Sequence, residues 1–241
     1  MNIREQLRTV PGRLLTIVIL GILLIVSMLL SLRLGTVDLT QDEILKALFH
    51  DREGIPFQII RHIRLPRILL GALVGGALAV SGTLLQGVMR NPLASPGIIG
   101  VSAGGGLAGI LVILALPQFA HLLVPAAFLG SLGTASLVYL LAWKRGASPV
   151  RLILSGVAVA AMLGAVSSAI LLFNAEKAGG ILDFTIGSLA ARGWEQIGMV
   201  QYYMAAGLAA AFLFSNKLNV LSLGDEVATG LGLHVELVRF L

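Results

Sequence analysis

The chain has 241 residues, 57% of them hydrophobic and only 12% charged, with a mean hydropathy of +0.94. Soluble domains carry about 25% charged residues, so there is too little polar surface here to coat a water-soluble globule, and composition points to a polytopic membrane protein. The lack of cysteine excludes disulfide frameworks, thiolate metal sites and cysteine nucleophiles, and the charge of +5 is spread through short loops rather than gathered into a nucleic-acid-binding face.

A spanning helix needs about 20 mostly apolar residues. The first such run is 14–32, with Arg4, Arg8 and Arg13 before it and Arg33 after it. It is too long for a signal peptide and lacks a small-x-small cleavage site, so it reads as a retained span. Residues 33–66 look soluble. Thr40-Gln41-Asp42-Glu43 fits a capping box, and Ile44, Leu45, Leu48 and Phe49 follow at helical spacing, predicting a short amphipathic helix on the membrane or on neighbouring spans.

Pro66 opens the second predicted span, 67–89, at a position where its missing donor is tolerated. Gly71 and Gly75 form a G-x-x-x-G pair within it. A break with Pro92 and Pro96 leads to a third span, 98–116, where Gly100 and Gly104 repeat the pair. Span four covers 121–143, span five 150–173 and span six 196–214, with a mixed loop over 174–195. The polar segment 217–239 holds a second capping-box-like start at Ser222-Leu223-Gly224-Asp225, with Gly230 and Gly232 as terminators of one short helix. Leu241 falls where another apolar run is expected to begin.

With the N-terminus inside, nine Lys and Arg lie inside and eight outside. The short loops decide: the 117–121 turn has none and 144–151 has three, which favours a cytoplasmic N-terminus. No P-loop signature and no H-E-x-x-H occurs, and the four histidines are scattered. The reading is therefore a non-enzyme with no catalytic residue, no cofactor and no metal site. No Asp, Glu, Lys or Arg sits mid-span, which disfavours the alternative of an ion-coupled secondary transporter, and no nucleophile–base pair within spans supports an intramembrane enzyme.

Three runs then become recognisable: Arg64-Leu65-Pro66-Arg67 followed by GALVGGALAVSGTLLQ over 71–86, RNPLASPGIIGVSAGG over 90–105, and LSLGDEVATGLGLHVELVR over 221–239. Together they resemble the FecCD-type permeases, membrane subunits of binding-protein-dependent ABC importers for ferric siderophores, haem and cobalamin. The resemblance implies an all-α transmembrane helical bundle of the cobalamin/siderophore importer type, one permease domain over 1–241, in the cell inner membrane. It implies partners: ABC ATPase subunits, an extracytoplasmic substrate-binding protein, a second permease chain (identical or paralogous) and the lipid bilayer, but no nucleic acid. Its cargo is expected to be an iron–siderophore complex, or haem or cobalamin. Members of this family usually have ten spans, so the chain is expected to lack C-terminal spans.

The resemblance also implies roles. Arg64 and Arg67 match the pair that docks acidic residues of the binding protein, with Arg61 a weaker third. Ser81, Thr83 and Gln86 lie on the helix lining the translocation path, and Asn91 and Leu93 match the loop narrowing its cytoplasmic exit. A second narrowing element is expected at Ser148-Pro149-Val150. Leu221, Leu223, Gly224, Asp225, Glu226, Val227 and Leu231 belong to the loop that couples to the ATPase. From the residues alone other roles stay open: interfacial anchoring for the arginines, interhelical hydrogen bonds for span two, and a plain interfacial helix for the last loop.

Overall fold

The computed structural model describes residues 10–50, 53–144, 146 and 148–240; Arg4, Arg8, Arg52 and Arg145 of the charge count lie outside them. The chain is helical throughout and divides into two compact units. One comprises the described residues up to Ala72 with Leu189–Gly198; the other comprises Leu73–Ser188 with the residues from Met199 onward.

In the first unit, α1 (Val10–Arg33) turns its leucines and isoleucines outward, an arrangement suited to lipid rather than water. The capping box forms as expected at the start of α2 (Gln41–Phe49). The Glu43 carboxylate accepts the Thr40 N–H and hydroxyl, each at 2.8 Å, and Thr40 Oγ1 accepts the Glu43 N–H at 3.4 Å. These bonds, the backbone one foremost, hold the exposed Glu43 carboxyl below its ordinary pKa. Leu32, Leu39, Ala47 and Ile60 form the buried core of this unit.

Pro66 does not start a helix. Helix α3 (Ile55–Gln58) runs through a π-helical stretch, Ile59–Arg64, directly into α4 (Leu65–Met89). Proline inside an α-helix clashes with the preceding turn and lacks a donor, and a π-bulge relieves both by widening that turn. In the widened register Leu65 N–H donates to Ile60 O. The next rung would run from residue 66 to Arg61 O, and proline cannot supply it. The Trp194 indole Nε1–H donates to that carbonyl instead, at 2.8 Å.

In the second unit, α4 ends at Met89 and Arg90 takes a left-handed backbone, φ +48°. Helix α5 (Val101–Ala115) begins later than the predicted 98, because Gly100 is left-handed at its N-cap. It has 15 residues, and a 3₁₀ turn (Pro117–Leu122) leads into α6 (Leu123–Ala142). Helix α7 (Pro149–Phe173) is capped by Ser148, whose Oγ accepts the Arg151 N–H at 3.4 Å. Five helical segments are long and apolar enough to cross a membrane: those at 11–33, 55–89, 117–142, 149–173 and 194–221.

The 174–195 stretch, expected as a loop, contains a 3₁₀ turn (Ala175–Lys177) and α8 (Ala178–Ile186). Gly179 and Gly180 depress local helix propensity, but tertiary packing overrides it: Ile181 is fully buried and the Phe184 ring fills the space beside Gly109. Helix α9 (Trp194–Leu221) extends past Lys217, followed by α10 (Asp225–Gly230) and α11 (Val235–Phe240).

Candidate functional site

Two groups of expected functional residues exist in different surroundings, one in each unit. In the second unit the segment after α9 folds onto its own core of Leu221, Ala228, Val235 and Val238. Leu221 is fully buried, so it supports the loop from beneath. Leu223, Val227 and Leu231 are 62%, 50% and 65% exposed, leaving three apolar side chains on the loop surface. The second capping box does not form. Gly224 is the N-cap, at φ +118°, with no side-chain cap bond, and Ser222 Oγ donates to Asn219 O instead. Asp225 and Glu226 do occupy the first turn of α10, where acidic groups suit the helix dipole.

The Asp225 carboxylate is drawn away from capping by two guanidiniums. Oδ1 lies 2.8 Å from Arg239 Nη2 and 3.2 Å from Arg90 Nη2. The Arg239 side chain is 1% exposed, and an arginine so placed requires a carboxylate to offset its desolvation. Sequence reading places Asp225 at this helix start but misses Arg90 and Arg239; their separation along the chain hides the pairing. Tyr139 Oη, near the end of α6, reaches Glu236 O at 3.1 Å and Oε2 at 3.2 Å, tying α11 down as well.

Through Arg90 the same carboxylate reaches the turn after α4. That turn is rooted in the core of this unit by Met89, Ala94 and Ile99. Asn91 Oδ1 accepts the Leu93 N–H at 2.9 Å, and Leu93 projects outward, 79% exposed. A rigid non-helical turn therefore presents Leu93. Upstream, Ser81 and Thr83 return their hydroxyls to Leu78 O and Ala79 O of their own helix, and Gln86 is exposed. Near the other expected narrowing, Arg151 donates to Lys144 O at 3.1 Å and to Gly146 O, closing the turn before α7.

In the first unit the arginine pair separates. Arg64, expected beside Arg67 on a common docking face, is turned inward and 8% exposed. Its Nη1 donates to Leu32 O at 2.6 Å and Arg33 O at 3.0 Å, and Nη2 donates to Val37 O. Leu32 and Arg33 end α1, where helix carbonyls lack intrahelical donors and a cation is favoured by the dipole. Arg64 is thus a clamp on the end of α1. Arg67, on the other side of the widened turn, is exposed. Gly35 makes the clamp possible: a Cβ there would lie 2.5 Å from Arg64 Nη2 and 2.9 Å from Cζ. Gly35→Val is therefore expected to destabilise this unit by about 1–3 kcal/mol through forced displacement. Faster proteolysis within 33–64 of the membrane-embedded protein would register it, whereas wild-type protection would contradict the clamp.

Residues 23–241 match the FecCD transport family. The chain is 36% identical over 234 residues to the Fe(3+)-citrate import system permease protein YfmD of Bacillus subtilis (strain 168), covering 97% of this chain and 70% of that one. It is 38% identical over 233 residues to the ferric enterobactin transport system permease protein FepD of Escherichia coli (strain K12), covering 94% and 66%. Among solved structures, an inward-facing conformation of a metal-chelate type ABC transporter matches with a TM-score of 0.78 and 31% identity, over 92% of this chain and 68% of that chain.

Proposed function

The chain belongs to the FecCD transport family, and from that membership we propose that it is the permease subunit of an ATP-driven importer carrying a ferric chelate across the cytoplasmic membrane. It catalyses no bond change itself. Two ATPase subunits act from the cytoplasm, a binding protein delivers cargo from outside, and a second permease chain completes the path. The named cargoes of the relatives, Fe(3+)-citrate and ferric enterobactin, favour an iron chelate over haem or cobalamin.

The observation that carries this reading is the Arg90–Asp225–Arg239 ion pair. Leu223, Val227 and Leu231 offer the ATPase an apolar contact, and Asp225, on the same loop, is bonded to the residue that starts the Leu93 turn. Displacement of the loop is delivered to that turn, the exit constriction in this reading, through one carboxylate. Force passes best through a short charge-assisted contact between packed elements. The same contacts support a cytoplasmic N-terminus. The 90–97 turn, the end of α6 and the 222–239 segment meet in the second unit, all three on the inner side by charge. In the first unit 33–64 meets the start of α9, both on the outer side.

Replacing Leu223, Val227 and Leu231 together by aspartate is expected to reduce co-purification of the ATPase at least about tenfold in mild detergent, since buried apolar anchors dominate such interfaces. The core beneath is untouched, so membrane insertion persists. Undiminished ATPase recovery would refute the coupling role of this surface.

A further inference from the structure

The bond from Trp194 to the proline-freed carbonyl of Arg61 has a second effect: it seats the segment before α9 against the turn that carries Arg67. Ala191 there has a left-handed backbone, φ +55°, and the Gly193 N–H donates to Gln196 Oε1 at 2.7 Å, so the segment is held at both ends. Between segment and turn lies a cavity of about 260 Å³ lined by His62, Ile63, Arg67 and Leu189–Gly193. All of these residues belong to the first unit.

The lining contains two guanidiniums, Arg67 and Arg192, and one imidazole, with no carboxylate. Both arginines are exposed, and neither makes a hydrogen bond or ion pair with the other described residues. His62 meets only the edge of Phe57, with ring centroids 6.0 Å apart. Like charges gathered round one small cavity repel unless an anion bridges them. Two planar forks beside the apolar wall of Ile63 and Leu189 suit a carboxylate, which they can grip with parallel bonds. Non-helical backbone such as 187–193 is not tolerated against hydrocarbon, so the cleft faces the aqueous side, where a soluble partner approaches.

We propose that this cleft receives an acidic side chain of the extracytoplasmic binding protein, with Arg192 gripping it jointly with Arg67. The proposal rests on the docking reading of Arg67 and adds to it a second cation from a distant part of the chain. It also replaces the inward-turned Arg64 as the partner of Arg67.

A fluorescein-labelled tetraglutamate peptide, titrated into the full chain in zwitterionic nanodiscs at low salt, tests it. Saturable binding is expected, weakened about five- to tenfold by Arg192→Ala and similarly by Arg67→Ala, as for loss of a charge-assisted contact. Arg192→Lys should fall between wild type and Arg192→Ala, because a point charge replaces the fork. Trp194→Phe, which removes only the indole donor, should also weaken binding. If Arg67→Ala weakens binding and Arg192→Ala does not, the cleft is wrong while the docking role of Arg67 stands. If neither matters, both fall. Complete displacement of the peptide by phosphatidylglycerol in the nanodiscs, or by inorganic phosphate at equal concentration, would overturn the protein partner in favour of a phosphate ligand.

Discussion

Asp225→Asn is expected to abolish ATP-driven uptake while leaving the chain folded in the membrane and the ATPase able to bind. The substitution keeps shape and removes charge from between Arg90 and Arg239, 3.2 and 2.8 Å away. Arg239 is held inside the fold and needs its anion most. Losing a hydrogen bond to a charged group costs about 1.5–3 kcal/mol. Asp225 itself is 42% exposed, so the cost should stay below the figure for a fully buried pair. That is enough to loosen α10 from the Arg90 turn without unfolding the second unit, whose main core lies in Met89, Val138, Ala142 and Leu152. Hydrolysis should then continue without transport. A double-mutant cycle of Arg90→Ala with Asp225→Asn should show an interaction term, since the two share a contact. Normal uptake by Asp225→Asn, or strict additivity, would break the proposed link between loop and turn.

The second large effect concerns the crossing of α5 and α6. A Cβ at Gly104 would lie 2.6 Å from Gly130 O and would strike the Thr134 side chain; at Gly130 it would lie 2.6 Å from both Gly104 O and Ala108 Cβ. The two backbones touch, as small residues allow in membrane helices. Gly104→Val and Gly130→Val should each prevent accumulation of folded protein, since backbone rather than a movable side chain is in the way, and overpacking costs about 1–3 kcal/mol even where neighbours can shift. Gly156→Ala should be damaging for the same reason, with Ile99 Cα at 2.7 Å. Gly75→Ala, where nothing lies within 4 Å, is the control and should be silent. Detergent-resistant monodisperse yield reads the difference, and equal yields for Gly104→Val and Gly75→Ala would refute the crossing.

That contrast marks how far pattern could be read. Gly71/Gly75 and Gly100/Gly104 have the same spacing, yet Gly71 meets only Leu189, Gly75 is open, and Gly100 lies outside the helix as its left-handed N-cap. Only Gly104 does what the motif suggests. The capping box at Thr40 was readable because its partners lie within one turn. The one at Ser222 was readable in the same way and did not form, because two distant arginines compete for Asp225. Helix α8 was missed since its glycines speak locally, whereas Ile181 and Phe184 are answered by packing.

The amino-acid sequence alone determined that this is a helical membrane protein, where its apolar segments run and, through three long motifs, its family. These follow from composition, segment length and residue order, which need no folded context. Tertiary structure alone decided which charges serve inside and which outside. Arg64 and Arg67 look equivalent in the sequence. A π-bulge beside Pro66 turns one toward carbonyls 32 and 31 residues away and leaves the other exposed. Likewise Asp225 finds Arg90, and Trp194 finds Arg61, across more than a hundred residues. The strength of such contacts depends on burial and geometry, which exist only once the chain has folded.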